Sequence, residues 1–395
     1  MRRLIPLIAV LALAGAERAA HAASCDTLPN PIYLQVGDTQ LNLMKRLARQ
    51  LRNNTPKPIT LVFVTSGSCT NITAIYTRVP ITGNMQYVPS SAEDGNWTPT
   101  SATLTCTAPG AGVVPDIANS ALLNSACTAA APPATVHLEH GPVQAYVLGV
   151  PIGSSQVAIT YEEAYFVFGF GAAGMIAPWI DEAQMFIRTV TKSTLLAWGA
   201  NISVPANKWK GMAFDGSPMV VSALQSSTSP EKAIGILGVE VADALRSSIR
   251  ILAFRAKGQH LAYFPDSTST ARDKKNVRDG HYTVWSPTVW MDTVDGNGAP
   301  VKPDTRYVID LIVGRAVTPA PNFQPIDSIS AVGLVPDCAM GVTRSFEGGP
   351  LSLYKPAQSC ACKYESLVAG STCQTCNATT PCTSGVCRDG FCEVQ

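Results

Sequence analysis

Apolar positions in this chain fall into two recurring patterns: short continuous runs, and residues spaced three or four apart. Residues 31–36 and 59–64 are continuous runs and read as buried strands. Behind the first run, Leu41, Met44, Leu47 and Leu51 recur at helical spacing, with Lys45, Arg46 and Arg49 on the opposite side. A second helix begins around residues 72–76. Strand, loop, helix, repeated, is an α/β pattern, in which ligands are expected beyond the carboxyl ends of the strands.

Residues 85–135 are rich in Ser, Thr, Ala and Pro and read as a surface excursion closed by a disulfide and interrupted by a short strand at 113–117. Residues 143–150 form a good strand, and Pro151-Ile152-Gly153 reads as a crossover into a second lobe. That lobe is expected to hold a helix at 161–168, a strand at 184–188 and a helix from Ser193 carrying Leu195, Leu196 and Trp198. Ser229-Pro230-Glu231 has the form of an N-cap, a first-turn proline and an acid. Strands at 234–239 and 249–255 follow, then a returning strand at 282–290, a helix at 304–313 and a Pro-rich link, Thr318-Pro319-Ala320-Pro321.

Composition narrows the class. The chain has 395 residues, enough for two or three domains, with 46% apolar and 14% charged residues, which excludes extensive disorder. A net charge of +1 offers no basic excess for neutralising phosphates along a nucleic acid. Met1-Arg2-Arg3, an apolar run over residues 4–16 and Ala20-His21-Ala22 have the layout of a signal peptide, so the mature protein is expected to be secreted or periplasmic, with surface attachment and lipidation of Cys25 left open.

Twelve cysteines suit an oxidising compartment. Cys25, Cys69, Cys106 and Cys127 lie early, and eight crowd the tail from Cys338 to Cys392, where four disulfides are favoured over a zinc site at Cys373-Gln374-Thr375-Cys376. The expected organisation is a signal peptide at 1–22, a first lobe at 23–152, a second lobe at 153–258, a return to the first at 259–335 and a cysteine-rich tail at 336–395.

Three hydroxyl-rich loops, each leading from a strand into a helix, carry the candidate chemistry. They are Val36-Gly37-Asp38-Thr39-Gln40, Thr65-Ser66-Gly67-Ser68-Cys69-Thr70, and Arg188-Thr189-Val190-Thr191-Lys192-Ser193-Thr194. A helix N-terminus presents unpaired N–H groups and the positive end of the helix dipole, which suits an oxyanion.

With these residues laid out, the body resembles the phosphate-binding proteins of ABC transporters, members of the type 2 periplasmic binding proteins. The likeness is strongest over Ile159-Thr160-Tyr161-Glu162-Glu163-Ala164-Tyr165-Phe166-Val167-Phe168-Gly169, Ala177-Pro178-Trp179-Ile180-Asp181 and Phe186-Ile187-Arg188. Gly37-Asp38-Thr39, Ser66-Gly67-Ser68 and Asn276-Val277-Arg278-Asp279-Gly280-His281-Tyr282 also resemble family segments. The resemblance implies two α/β lobes joined by crossing strands and closing on a small oxyanion, with an ABC transporter permease or a cell-surface component as partner, a monomeric state, and no cofactor, metal or catalysis. Carried over by position, Thr39, Ser66, Ser68, Arg188 and Thr194 would contact the anion. Asp38, Gly67, Lys192 and Ser193 complete the candidate set.

The chain also departs from that pattern. An acid expected near residue 121 is Ala121, and the third loop has Val190 and Lys192-Ser193 in place of an Asp and a Ser-Gly. Asp38 has two readings: it accepts a ligand proton, or it caps its own helix. If it caps the helix and side chains fill the cleft, the alternative function is a surface or adhesive protein that keeps the fold without a small ligand. Phosphate-ester hydrolysis is a third, weaker reading, with no nucleophile–base pair or metal to place. His137-Leu138-Glu139-His140 reads as a polar surface loop, Arg272-Asp273-Lys274-Lys275 as a solvated turn with Arg278 reaching toward the cleft, and Tyr165-Phe166-Val167-Phe168 as core. Trp285 and Trp290 suit core or cleft wall equally.

Overall fold

The computed structural model describes residues 23–394, so the expected signal peptide lies outside the described residues. The chain begins with β1 (Pro31–Gly37), α1 (Leu41–Arg52), β2 (Thr60–Ser66) and α2 (Ser68–Thr77), as the apolar pattern predicts. Helix α1 buries Leu43, Met44, Leu47, Ala48 and Leu51 and leaves its basic residues half-buried on the other side. Strands β3 (Asn84–Tyr87), β4 (Leu104–Thr107) and β5 (Ile117–Ser120) come next.

The long β6 (Val136–Pro151) leads to β7 (Ala158–Thr160) and α3 (Tyr161–Phe170). Thr160 and Glu163 cap α3 reciprocally, the side chain of each accepting from the backbone N–H of the other. Then follow β8 (Met185–Arg188), α4 (Ser193–Ile202), β9 (Met212–Phe214), α5 (Ser217–Ser226), β10 (Ile234–Gly238), α6 (Val239–Ala242), β11 (Ile249–Ile251) and β12 (Ala253–Arg255). Short α7 (Lys275–Arg278), long β13 (Trp285–Thr293), α8 (Pro303–Val313) and α9 (Pro325–Ala331) lead to α10 (Ala361–Val368) in the tail.

One eleven-stranded sheet runs β4-β3-β2-β1-β5-β13-β6-β10-β8-β9, with β11 added to β6. Its first part carries the parallel β1–β2 and β1–β5 pairs, its last part the parallel β10–β8 and β8–β9 pairs. Between them β6 and β13 pair antiparallel over most of their length and join the two halves. Each half has its own core, one around Leu34, Phe63, Trp290 and Val308, the other around Tyr146, Trp179, Trp198 and Phe254.

Six disulfides are formed, which suits an oxidising compartment: Cys25–Cys106, Cys69–Cys127, Cys338–Cys360, Cys362–Cys373, Cys376–Cys387 and Cys382–Cys392. The sulfurs of Cys376, Cys382 and Cys392 cluster, but all three are spent in these bridges. Among the described residues no helix is long and apolar enough to cross a membrane.

Several expectations are corrected. The excursion is not closed on itself, because Cys106 and Cys127 pair with Cys25 and Cys69. Its strand lies at Ile117–Ser120, starting where the predicted one was to end, while Val113 only bridges Ile81. Residues 137–140 are part of β6, where His137 sits between Glu139 (2.9 Å) and Asp292 (3.0 Å). Ser229-Pro230-Glu231 makes a turn, since the Glu231 carboxylate accepts from the backbone of Ser155 and the hydroxyls of Ser154 and Ser155 instead of serving a helix.

Lys274 is fully buried, its ammonium 2.7 Å from both Asp243 and Asp266, so the charged run is not a solvated turn. Arg278 turns away from the cleft to Glu365 and the Ala339 carbonyl. Val167 and Phe168 are core, but Phe166 is exposed. Trp285 and Trp290 are both buried. The tail is more than a stapled appendage, since its Cys360 and Tyr364 belong to the second core.

Candidate functional site

The three loops meet. Gly37 and Ser66 face each other in the β1–β2 register, so the first two loops leave adjacent strand ends. The third loop arrives from the other half at the end of β8. Thr191 packs so tightly on Gly67 that a Cβ at Gly67 would stand 2.8 Å from the Thr191 carbonyl oxygen, and the Cys69 N–H points at that oxygen from 3.5 Å. Only glycine permits this approach.

Arg188 is the centre. Its side chain is fully buried, and four of its five N–H groups are engaged: Nε with the Phe214 carbonyl (3.2 Å), Nη1 with Ser217 Oγ (2.7 Å), and Nη2 with the Asp215 carbonyl and Asp38 Oδ2 (2.6 Å each). Asp38 therefore does not cap its own helix: it forms an ion pair across the two halves. A buried guanidinium needs a carboxylate partner. The third loop supplies Val190 where an acid was expected, and the first loop provides the charge instead.

Lys192 stands at the N-cap of α4, with its ammonium 3.1 Å from Asp215 Oδ1. That hydrogen bond and charge hold the exposed Asp215 carboxyl below its ordinary range. Ser193 lies beside the Tyr146 hydroxyl, which donates to the Ala121 carbonyl. Ser68 Oγ accepts from the Ala121 N–H at 3.0 Å. Ala121, at the position where an acid was expected, thus contributes its backbone groups to the site. Ser66 ends β2 and is partly buried.

Two hydroxyls stand out. Thr39 Oγ1, from the first half, and Thr194 Oγ1, from the second, are buried with no hydrogen-bond partner. Gln40 and Glu240 are also incompletely satisfied. The Gln40 amide donates to Gln144, whose amide donates to Glu240 Oε2 at 2.8 Å, leaving Gln40 Oε1 and Glu240 Oε1 without partners. Burial pushes the Glu240 carboxyl up to about 8, with the Asp38 and Asp243 charges adding to the shift and its own backbone N–H and Arg188 opposing it.

Sequence reasoning placed Gln40 in the first loop but gave it no role, and it missed Gln144, Tyr146, Ser217 and Glu240. One signal was present: Gln144 interrupts an otherwise apolar strand.

No protein-family model matches the chain, and no curated protein matches its sequence. Solved structures do. A phosphate-bound protein from Clostridium perfringens, assigned as a phosphate ABC transporter substrate-binding protein, superposes with a TM-score of 0.52 at 12% identity, over 78% of this chain and 99% of that one. An ABC-type phosphate transport receptor from Vibrio cholerae gives 0.48 at 12% identity, over 77% and 99%. A phosphate-binding protein from Stenotrophomonas maltophilia gives 0.45 at 13%, over 87% and 99%. The likeness to the first shows the fold alone: a two-lobed α/β architecture of the type 2 periplasmic-binding-protein fold, here with a disulfide-rich C-terminal tail.

Proposed function

We propose that this chain is an extracytoplasmic solute-binding protein that takes a small, phosphate-like oxyanion between its lobes. One observation supports this above others: Thr39 Oγ1 and Thr194 Oγ1, from opposite halves, are buried hydroxyls with no partner. An unmade buried hydrogen bond costs about 1–3 kcal/mol per group, and an oxyanion bridging both would recover it.

The charges define which anion. Arg188 is offset by Asp38 and Lys192 by Asp215, so the four form two neutral pairs and recognition falls to directed hydrogen bonds. Asp38 repels a fully ionised oxygen but can take the proton of a monohydrogen anion, since Arg188 occupies only its Oδ2. Ser66, Gly67, Ser68 and Ser193 complete the proposed contacts, and an ABC transporter permease or a surface component is the proposed partner.

The near-saturation of Arg188 favours a second reading, a surface protein that keeps the fold with the cleft closed on itself. Isothermal titration with phosphate, arsenate and sulfate at neutral pH separates the two. Heat with phosphate or arsenate supports the first, and silence with all three overturns it in favour of the second.

A further inference from the structure

The tail sends one segment into the junction between the halves. Arg344 lies 4.2 Å over the ring of Trp285 and donates to the Thr283 carbonyl at 2.7 Å, at the start of crossing strand β13. Glu347, buried, accepts through Oε1 from the Leu123 N–H at 2.9 Å and from the Ser286 hydroxyl. Gly348, at φ +68°, packs so closely on α4 that a Cβ there would stand 2.6 Å from the Ala200 carbonyl oxygen. These few residues touch a loop of the first half, a helix of the second and the strand that joins them.

From Leu123 the hydrogen bonds run inward. The Ser120 hydroxyl donates to the Leu122 carbonyl at 2.7 Å. The Ala121 N–H donates to Ser68 Oγ, and the Ala121 carbonyl accepts from Tyr146, which adjoins Ser193. Loop 120–123 therefore sits between Glu347 on one side and two groups of the candidate site on the other.

We infer that Glu347 is a positioning residue for the inter-lobe site: through it the cysteine-rich tail straps loop 120–123 in place and sets Ser68 and Tyr146. Burying a carboxylate is costly, and here it is retained with Oε2 lacking any partner, which packing alone would not require. Burial also raises this carboxyl above its ordinary range, against the bonds from Ser286 and Leu123 and the charge of Arg344. The role assigned to Glu347 in binding rests on the oxyanion reading of the site, whereas the strap itself does not.

The test compares wild type, Glu347→Ala and Glu347→Gln by amide hydrogen exchange and by titration with inorganic phosphate. In Glu347→Ala, exchange at Ala121 and Leu123 should speed up about tenfold and phosphate should bind about tenfold more weakly, while Glu347→Gln, which keeps an acceptor for Leu123, restores both. Where Glu347→Ala does not fold, Gly348→Ala serves in its place, since it keeps every hydrogen-bonding group and drives a methyl into Ala200. Unchanged exchange overturns the strap, and faster exchange with unchanged phosphate affinity overturns the positioning role. A wild type that takes neither phosphate, arsenate nor sulfate overturns the oxyanion reading, and the exchange data then decide the strap alone.

Discussion

Asp38 and Arg188 lie 150 residues apart in sequence and 2.6 Å apart in space, and their ion pair links the two halves at the candidate site. Removing the carboxylate leaves a buried guanidinium without its counter-charge. Asp38→Asn should lower stability by about 2 kcal/mol, a value discounted because 21% of the Asp38 side chain remains exposed. The variant should also weaken phosphate, which needs a proton acceptor, and tighten sulfate, which is repelled by the charge. Thermal denaturation and paired titrations check this, and equal changes for both anions would mean that Asp38 does not take a ligand proton.

Gly67 is a point of close approach between the halves. In Gly67→Ala the added methyl would meet the Thr191 carbonyl, so the lobes should stand further apart. Small-angle scattering should show a larger radius of gyration, and phosphate affinity should fall about tenfold or more. An unchanged radius would show that the loop yields instead.

Glu240 should make stability depend on pH. Its folded-state carboxyl, near 8, lies above the ordinary value of 4.5, so the folded protein holds a proton that the unfolded chain releases between these values. The neutral acid's contribution is complete below about 4.5 and is lost as pH rises through about 8. Urea midpoints should therefore decline from pH 5 to 8.5 in the wild type and decline less in Glu240→Gln. Parallel profiles would show that Glu240 does not carry the effect.

The Cys69–Cys127 disulfide ties the start of α2 to the loop beyond β5 across 58 residues. In the chain-entropy account a closed loop of that length contributes about 4 kcal/mol. Replacing both cysteines by serine should lower the calorimetric melting temperature by several degrees and, because Ser68 is adjacent, weaken the site as well. A drop in melting temperature with full phosphate affinity would confine the bridge to stability.

The loops were legible in the sequence because each is announced locally, by an apolar strand on one side and a helix with small polar residues on the other. Their connections were not. Asp38 offered two plausible partners, a ligand proton and its own helix, and nothing near it points to Arg188. Gln40, Gln144 and Glu240 form one buried chain from three separate elements, and only Gln144, polar within an apolar run, gave notice. Helix α5 was missed because only Val220 and Leu224 of its apolar residues are buried, too few to mark a period. Lys274 misled in the opposite sense, because a charged run gives no hint that Asp243 and Asp266 enclose one of its members.

The Cys25–Cys106 disulfide has a consequence for how the protein could be held at a surface. A bacterial lipid anchor is a thioether, and a sulfur already bonded to a second sulfur has no valence left for one. In this fold Cys25 cannot be the tether. Any attachment must run through another group.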